Sequence, residues 1–279
     1  MKKTKIEPIL KWAGGKRQLL GEINKYLPQN ITTYVEPFIG GGALLFDLQP
    51  KKAIINDLNK ELINVYEVIR DFPDELIEIL KVHTNNNSSD YFYSMRNLDR
   101  ESKFLELNSV EKAARIIYLN RTCYNGLFRV NRIGQFNTPY GKYKNPKILD
   151  IEKIEAISQY LNKNNIKVIS GDYKLALKGL RRGSFVYFDP PYLPINTASF
   201  TGYTELGFSL TDHTMLRDEC IKLHSRGINI MISNSDTPEI RELFNEKSIF
   251  KIRTLSATRK INSKKEERGE ITELLITNY

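Results

Sequence analysis

Residue types that build several common kinds of site are scarce in this chain. Among its 279 residues are two cysteines, Cys123 and Cys220, and three histidines. The cysteines form no CxxC pair, so neither a disulfide framework nor a zinc site is supported. The histidines lack the spacing of metal ligands or of a catalytic triad. We therefore expect no bound metal, and we expect both thiols to be inert packing residues.

Long apolar runs are absent as well. No segment approaches the roughly 20 apolar residues that a membrane-spanning helix needs. The basic N-terminal stretch MKKTKIEP lacks the apolar region of a signal peptide. These absences predict a cytoplasmic protein that contacts no membrane. A Walker A sequence is also missing, because no Gly-Lys-Ser/Thr follows the triple glycine, and this argues against a P-loop ATPase.

Positive charge, in contrast, is abundant. The chain has 42 Lys and Arg against 33 Asp and Glu, a formal net charge of +9. A basic surplus can bind nucleic acids, because contacts to phosphates release condensed counterions. Many basic proteins bind no nucleic acid, however, so charge alone leaves the partner open. The length and the 41% apolar content fit one large globular domain or a core domain with an insertion.

Short apolar runs alternate with helical patterns in the first sixty residues and again after about residue 165. The predicted strands are TTYVEPF, KAIINDLN, IKVISGDY, SFVYFDPPY and INIMISNS, and a helix is predicted at 210–227. This alternation predicts an α/β fold with a doubly wound, mostly parallel sheet. The last two apolar segments, FKIRTLSAT and EITELLITNY, are close in sequence. We expect them to form an antiparallel hairpin at the sheet edge.

The middle of the chain, 60–165, has a different character. It begins with helical patterns, and over 114–146 it becomes rich in Arg, Lys, Asn, Tyr and Gly. We interpret 60–165 as an inserted, mainly helical recognition domain with an exposed hairpin at about 120–140. The segments 1–59 and 166–279 would then form the catalytic domain.

Acidic residues stand at the ends of the predicted strands, where open parallel sheets bind their ligands. They are Glu36, Asp57, Asp172 and Asp189. Such carboxylates would repel a triphosphate in the absence of metal, but they suit a cationic ligand that carries an adenosine, such as S-adenosylmethionine. Two alternatives stay open at this point. The glycines of EPFIGGG are also typical of a structural turn, and Asp57 is also typical of a helix cap.

Four segments together resemble a known family. They are KWAGGKRQLL, FIGGG, NRTCYNGLFRVNRIGQFNTPYGKYKNP and DPPY, in that order along the chain. Their combination resembles the Dam-type DNA adenine-N6 methyltransferases of the amino-alpha class, and most of all the Dpn-type GATC modification methylases. The resemblance extends over essentially the whole chain. It implies a Rossmann-like, S-adenosylmethionine-dependent methyltransferase fold and methylation of the adenine in double-stranded GATC after base flipping.

The resemblance also implies roles for individual residues. Asp189 and the carbonyl of Pro190 would accept the two hydrogens of the adenine amine, Pro191 would keep that backbone rigid, and Tyr192 would stack on the base. The implied cofactor residues are Trp12, Ala13, Gly15, Lys16, Glu36, Pro37, Phe38, Gly40, Asp57, Leu58, Asp172, Tyr173 and Asp189. The implied DNA-binding residues are Lys11, Arg121, Tyr124, Asn125, Leu127, Arg129, Asn131, Asn137 and Pro139.

Two of these DNA contacts are the most specific. Arg129 is expected to contact guanine through two hydrogen bonds, which is the commonest specific pairing in the major groove. Lys11 is expected to read the first guanine of GATC. The segment 193–208, directly after DPPY, is expected to be mobile without DNA and to close over the flipped base.

Alternative functions share parts of this pattern. The same chemistry could act on RNA or on a protein glutamine, but protein methylases of that type tend to have NPPY and lack this recognition segment. A catalytically idle nucleic-acid-binding protein is disfavoured by the intact DPPY sequence. We expect a monomer whose partner is DNA containing GATC, acting either beside a restriction endonuclease or as a solitary methylase.

Overall fold

A seven-stranded sheet organises the computed structural model, which describes residues 6–193, 207–258 and 270–279. The strands in these residues are β1 Thr33–Glu36, β2 Lys52–Asp57, β3 Asn165–Ser170, β4 Ser184–Phe188, β5 Asn229–Ser235, β6 Lys251–Thr258 and β7 Glu270–Thr277. Their order across the sheet is β3-β2-β1-β4-β5-β7-β6. Each lies at a segment that was predicted as a strand, and the predicted α/β class is confirmed.

The sheet is parallel at its centre and antiparallel at one edge. β1 pairs in parallel with β2 and β4, so that Val35 lies between Ile54 and Val186, and β4 pairs in parallel with β5. β7 is antiparallel to both β5 and β6, which confirms the predicted edge hairpin. The strand order reverses between β1 and β4, the position at which open α/β sheets bind ligands.

The central strand β4 explains the abrupt stop at DPPY. All five of its residues are buried, as expected of a parallel strand that is covered on both faces. Pro190 and Pro191 follow it almost directly, and neither has an N–H group to donate to a neighbouring strand. The strand therefore ends with Asp189 just beyond its last paired residue.

Helices alternate with the strands along the chain, and several of them begin with a side-chain cap. Asn59 accepts a hydrogen bond from the Leu62 N–H, and Asn108 and Ser209 each begin a helix with a capping box. The helices are α1 Leu20–Ile23, α2 Ala43–Leu48, α3 Lys60–Asp71, α4 Pro73–Asn85, α5 Ser89–Asn97, α6 Lys103–Glu106, α7 Ser109–Thr122, α8 Ile151–Lys163, α9 Leu210–Ser225 and α10 Pro238–Leu243. The helix predicted at 210–227 is α9.

The chain divides into two compact units. Unit 1 comprises Met1–Gly15, Ile39–Lys51 and Asn56–Asp172, and unit 2 comprises Lys16–Phe38, Lys52–Ile55 and Tyr173–Tyr279. Helix α7 packs against α3 and α4 inside unit 1. A core cluster of unit 2 packs one face of β4 and β5 against α9 and α10, and it includes the fully buried Phe188 and Ile230. The predicted domain boundaries at 60 and 165 stay a prediction.

Residues 123–140 of unit 1 fold back on themselves, in the segment where a hairpin was expected. Antiparallel bridges join Cys123 to Tyr140 and Val130 to Phe136. Within the described ranges, no helix is long and apolar enough to cross a membrane. Most of the expected lid, 194–206, lies outside the described residues.

Candidate active site

Asp189 lies at the carboxyl end of β4, where a nearly buried lysine balances its charge. Lys16 Nζ is 2.8 Å from Asp189 Oδ1, and the two side chains are 4% and 18% exposed. Lys16 belongs to a short helical turn, Lys16–Gln18, far from Asp189 in sequence. Unit 2 therefore brings together one residue from the N-terminal motif and one from DPPY.

Tyr192 completes this group with an acidic partner from β7. Its hydroxyl donates a hydrogen bond of 2.8 Å to Glu273 Oε2. Lys16 Nζ lies 4.7 Å from the centre of the Tyr192 ring and 3.9 Å from Glu273 Oε2. One ammonium group thus serves two carboxylates and covers one face of the tyrosine.

The charges in this group shift its pKa values. Burial raises the pKa of Asp189, the Lys16 ammonium opposes that shift, and the Glu273 carboxylate adds to it. Burial, together with both carboxylates, raises the pKa of Tyr192 well above its usual value. Tyr192 consequently keeps its proton and acts as a hydrogen-bond donor.

The end of β1 in unit 2 supplies a second carboxylate and flat aromatic faces. Glu36 is buried and accepts a hydrogen bond of 2.7 Å from the Tyr34 hydroxyl. Two residues further on, Phe38 stacks on Tyr173, with ring centroids 5.4 Å apart, and meets Phe208 edge-on at 5.6 Å. A strand end with these groups can bind the hydroxyls and the ring of a nucleoside.

The glycine turn in unit 1 is needed for a close approach of the backbone. Gly40 has a φ of +47°, and a Cβ at this position would lie 2.9 Å from Cδ1 of the Trp12 indole. The turn is held by two side chains: Asp57 accepts the Gly40 N–H at 3.1 Å, and the Tyr66 hydroxyl donates to the Gly40 carbonyl at 2.9 Å. The geometry accounts for glycine here and ties the turn to Asp57.

Asp57 does not cap the helix that follows it. The cap of α3 is Asn59, whose side chain accepts the Leu62 N–H at 3.0 Å. Burial raises the pKa of Asp57, and hydrogen bonds from the N–H groups of Asn59 and Gly40 oppose that shift. The capping alternative is therefore wrong, and a desolvated carboxylate is left at the end of β2.

The other predicted cofactor residues vary in exposure. Pro37 is buried in unit 2, whereas Ala13, Gly15, Leu58 and Asp172 of unit 1 are exposed. Leu58 leaves 76% of its surface in solvent directly after Asp57. Their assignment to a cofactor stays a prediction.

Asn120, a buried side chain near the end of α7, fixes the backbone of Lys11. Its Oδ1 accepts the Lys11 N–H at 2.9 Å, and its Nδ2 donates to the carbonyls of Lys11 at 2.8 Å and of Gly126 at 3.0 Å. A Cβ on Gly126 would lie 2.5 Å from Lys11 Cδ. Unit 1 thereby holds Lys11 against the turn at Tyr124–Gly126.

Arg129 is exposed in unit 1 and is oriented by Asn137. Its Nε donates to Asn137 Oδ1 at 2.8 Å, and its Nη2 donates to the Asn137 carbonyl at 3.4 Å. The preceding residue, Phe128, stacks on Trp12 with ring centroids 4.9 Å apart. The guanidinium is thus presented to solvent from a side chain with a fixed orientation.

The remaining predicted DNA-binding residues fall into two groups. Exposed positions are Lys11, Tyr124, Leu127 and Pro139, whereas Asn125, Asn131 and Arg121 are partly buried. The side chain of Asn131 donates to Gln135 Oε1 at 2.9 Å, within the turn. Burial lowers the pKa of Arg121, and the charge of Asp150 opposes that shift. Contacts of these residues with DNA stay predictions.

Comparison with known proteins identifies the enzyme class. A model of the family described as D12 class N6 adenine-specific DNA methyltransferase matches residues 12–261. The chain belongs to this D12 family. It is 50% identical over 278 residues to the Type II methyltransferase M1.LlaDCHI of Lactococcus lactis subsp. cremoris, a match that covers 99% of this chain and 97% of that protein.

Two further relatives have similar extents. This D12 methyltransferase is 41% identical over 292 residues to the Type II methyltransferase M.MjaIII of Methanocaldococcus jannaschii, covering 98% of this chain and 99% of that protein. It is 33% identical over 282 residues to the DNA adenine methylase of Salmonella typhi, covering 99% and 95%. The predicted resemblance and the predicted enzyme class are confirmed. The substrate is adenine in DNA, so the RNA, protein, idle-binding and ATPase alternatives are set aside.

Sequence reasoning missed two residues that the structure of the D12 methyltransferase makes prominent. Glu273 lies in an apolar strand segment, and a charged residue in such a segment was the one sign in the sequence that it could have a functional role. Asn120 precedes Arg121 in NRTCYNG, and no local pattern indicates that its side chain binds the backbone of Lys11, 109 residues away. Both act through contacts between segments that are distant in sequence.

Proposed function

We propose that this D12 methyltransferase transfers the methyl group of S-adenosylmethionine to N6 of adenine in double-stranded GATC, with the target base flipped out of the duplex. The observation that carries the proposal is the group at the end of β4. The buried ammonium group of Lys16 lies 2.8 Å from Asp189 there. Two prolines and a half-buried tyrosine follow Asp189 in the sequence. This group matches the needs of an amine that must be made nucleophilic.

An exocyclic adenine amine is a weak nucleophile, because its lone pair is delocalised into the ring. Asp189 accepts one N6 hydrogen, and the Pro190 carbonyl accepts the other. These interactions localise the lone pair and strengthen as the nitrogen becomes tetrahedral, so they favour the transition state over the ground state. The Lys16 ammonium favours the ionised form of Asp189 and opposes the effect of burial.

Tyr192 stacks on the target base through one face of its ring. Lys16 Nζ lies 4.7 Å from the ring centre and covers the other face. The base must leave the duplex to reach Asp189, and the cost of unstacking it is a few kcal/mol. Stacking on Tyr192 offsets part of that cost.

S-adenosylmethionine, when bound, supplies a methyl group on a positively charged sulfonium. The residues present fit such a ligand, since carboxylates suit its ammonium group and its ribose hydroxyls. Asp57 is assigned to the ribose and Asp172 to the adenine amino group. The stacked pair Phe38 and Tyr173 suits the adenine ring, with centroids 5.4 Å apart. Gly40 has no side chain that would obstruct the approach of a ligand to the backbone.

Specificity for GATC is assigned to two oriented cations of unit 1. Arg129 is held by Asn137 through two hydrogen bonds, which suits a bidentate contact to the O6 and N7 atoms of guanine. Lys11, whose backbone Asn120 fixes on both sides, reads the first guanine. Further contacts to bases and phosphates are assigned to the exposed Tyr124, Leu127 and Pro139 and to the surrounding basic residues. We further propose a cytoplasmic monomer, beside a restriction endonuclease or alone.

One assay tests the proposal directly. Tritiated S-adenosylmethionine is incubated with the enzyme and with duplexes that contain GATC or a scrambled site, alongside an RNA duplex. Label is expected on GATC alone; equal label on the scrambled duplex would refute the assignment of GATC. Asp189→Ala should abolish transfer, whereas Asp218→Ala, at an exposed position of α9, should not. A rise in 2-aminopurine fluorescence at the target position would report base flipping, and its absence would contradict it.

A further inference from the structure

We propose that Glu273 is a positioning residue for methyl transfer, which orients the ring of Tyr192 toward the target base. The proposal rests on the proposed function, in which Tyr192 stacks on the flipped adenine. Tyr192 and Glu273 are 81 residues apart in sequence and lie in the same unit, with a hydrogen bond of 2.8 Å between the tyrosine hydroxyl and Oε2.

The backbone that carries Glu273 is held on both sides. β7 lies between two strands, so that Glu273 pairs with Ser235 of β5 and with Leu255 of β6. A carboxylate on a strand with two neighbours is a rigid anchor, because its backbone cannot move without breaking both ladders. The hydroxyl of Tyr192 is therefore tied to a fixed point, and the side chain has little freedom to swing away from it.

The surroundings of the pair favour a functional role over a structural one. The three residues after Glu273, which are Leu274, Leu275 and Ile276, are fully buried, and an apolar or β-branched residue would suit the strand better. A largely buried carboxylate is costly unless its partners compensate it. The contacts of Glu273 are the Tyr192 hydroxyl and, at 3.9 Å, Lys16 Nζ, which also binds Asp189. Its side chain is thus directed at the proposed catalytic group.

Lys16 adds a second reason for the placement. Its ammonium covers one face of the Tyr192 ring, so a base can stack only on the opposite face. A swing of the Tyr192 side chain about χ1 would move the ring away from Lys16 and from the base. The hydrogen bond from the Tyr192 hydroxyl to Glu273 opposes this swing and holds the ring beside Lys16.

Single-turnover methylation of a GATC duplex by four variants tests the proposal. They are Glu273→Ala, Glu273→Gln, Tyr192→Phe and the double variant with Tyr192→Phe and Glu273→Ala. A hydrogen bond to a charged group supports a loss of about tenfold to hundredfold in the methyl-transfer rate of Glu273→Ala. Tyr192→Phe keeps the ring and loses the same bond together with the contact of the hydroxyl with Asp189, so a loss at least as large is expected. Glu273→Gln keeps an acceptor and should lose less.

The double variant decides between positioning and structure. If Glu273 acts through the tyrosine hydroxyl, Glu273→Ala should cost no more than about threefold when Tyr192 is already Phe. The proposal would be overturned if the rate loss of the double variant equalled the product of the two single-variant losses. A wild-type rate in Glu273→Ala would also overturn it. Glu242→Ala, at an exposed position of α10, is the matched control and should keep the wild-type rate.

Two measurements keep this result interpretable. Thermal unfolding and the Kd for GATC DNA should stay close to wild type in Glu273→Gln and Tyr192→Phe, which test the bond even if Glu273→Ala does not fold. Failure of the proposed function itself would look different, because Asp189→Ala would then retain activity. If Asp189→Ala is inactive, as the proposed function requires, the rate of Glu273→Ala then tests the positioning role alone.

Discussion

Removal of the Asn120 side chain should destabilise unit 1 and loosen Lys11. Asn120 is 1% exposed and makes hydrogen bonds of 2.9, 2.8 and 3.0 Å to the N–H and carbonyl of Lys11 and to the carbonyl of Gly126. Asn120→Ala leaves three backbone groups without this partner. An unsatisfied buried group costs about 1–3 kcal/mol, and the two Lys11 groups are only partly buried and can regain water, so we expect a loss of roughly 2–5 kcal/mol in the free energy of unfolding.

Thermal unfolding measures this loss. For a protein of this size, 1 kcal/mol corresponds to about 2–4 °C, so Asn120→Ala should lower the melting temperature by roughly 5–15 °C. Asn120→Asp keeps an acceptor for the Lys11 N–H but places a carboxylate against two carbonyls, and its loss should be at least as large. Asn145→Ala, at an exposed position in the same unit, should melt within about 2 °C of wild type.

The same substitution tests whether the hydrogen bonds from Asn120 to the Lys11 backbone contribute to DNA specificity. If Lys11 reads the first guanine, Asn120→Ala should reduce the ratio of kcat/KM between GATC and a duplex changed at that guanine. The ratio at the other positions should change less. A melting temperature equal to that of wild type would refute the hydrogen-bond reasoning, and an even loss over all duplexes would refute the specific link to Lys11.

Two further predictions concern charge and orientation. Lys16→Met removes the cation that lowers the pKa of Asp189, which burial already raises, while the Glu273 carboxylate and the Tyr192 hydroxyl still face it. Because the ionised carboxylate is the stronger acceptor of an N6 hydrogen, the acid limb of the kcat/KM profile should move to higher pH, and a limb that moves to lower pH would contradict this. Asn137→Ala should cost about 1–3 kcal/mol of discrimination at the guanine read by Arg129, measured with single-base variants of the duplex; an equal loss on non-specific DNA would instead indicate a contact to phosphate.

Local patterns were sufficient to predict most of the fold. KAIINDLN and SFVYFDPPY are short apolar runs with polar or proline ends, and they became β2 and β4. The terminal hairpin followed from two apolar segments that are close in sequence. These predictions succeed because apolar runs and the polar, proline or glycine residues that end them are local features of the sequence.

The division of the chain could not be obtained in this way. The chain passes from one unit to the other several times, for example between Gly15 and Lys16 and between Phe38 and Ile39. No change of composition marks these points, because compactness depends on which segments pack together. For the same reason, the open choice between a cap and a ligand-binding role for Asp57 needed the structure, which assigns the cap to Asn59.

The sequence by itself determined the chemistry that the protein can perform. Reactive groups and backbone restrictions are properties of the residue types themselves. They can therefore be recognised in DPPY, in the triple glycine and in the lysines of KWAGGK without a structure. Only the tertiary structure decided which groups share one environment: Lys16 with Asp189, and Glu273 with Tyr192. The physical reason is that charge compensation and ring orientation act over a few ångströms, whereas these partners are far apart along the chain and meet only when the sheet has formed.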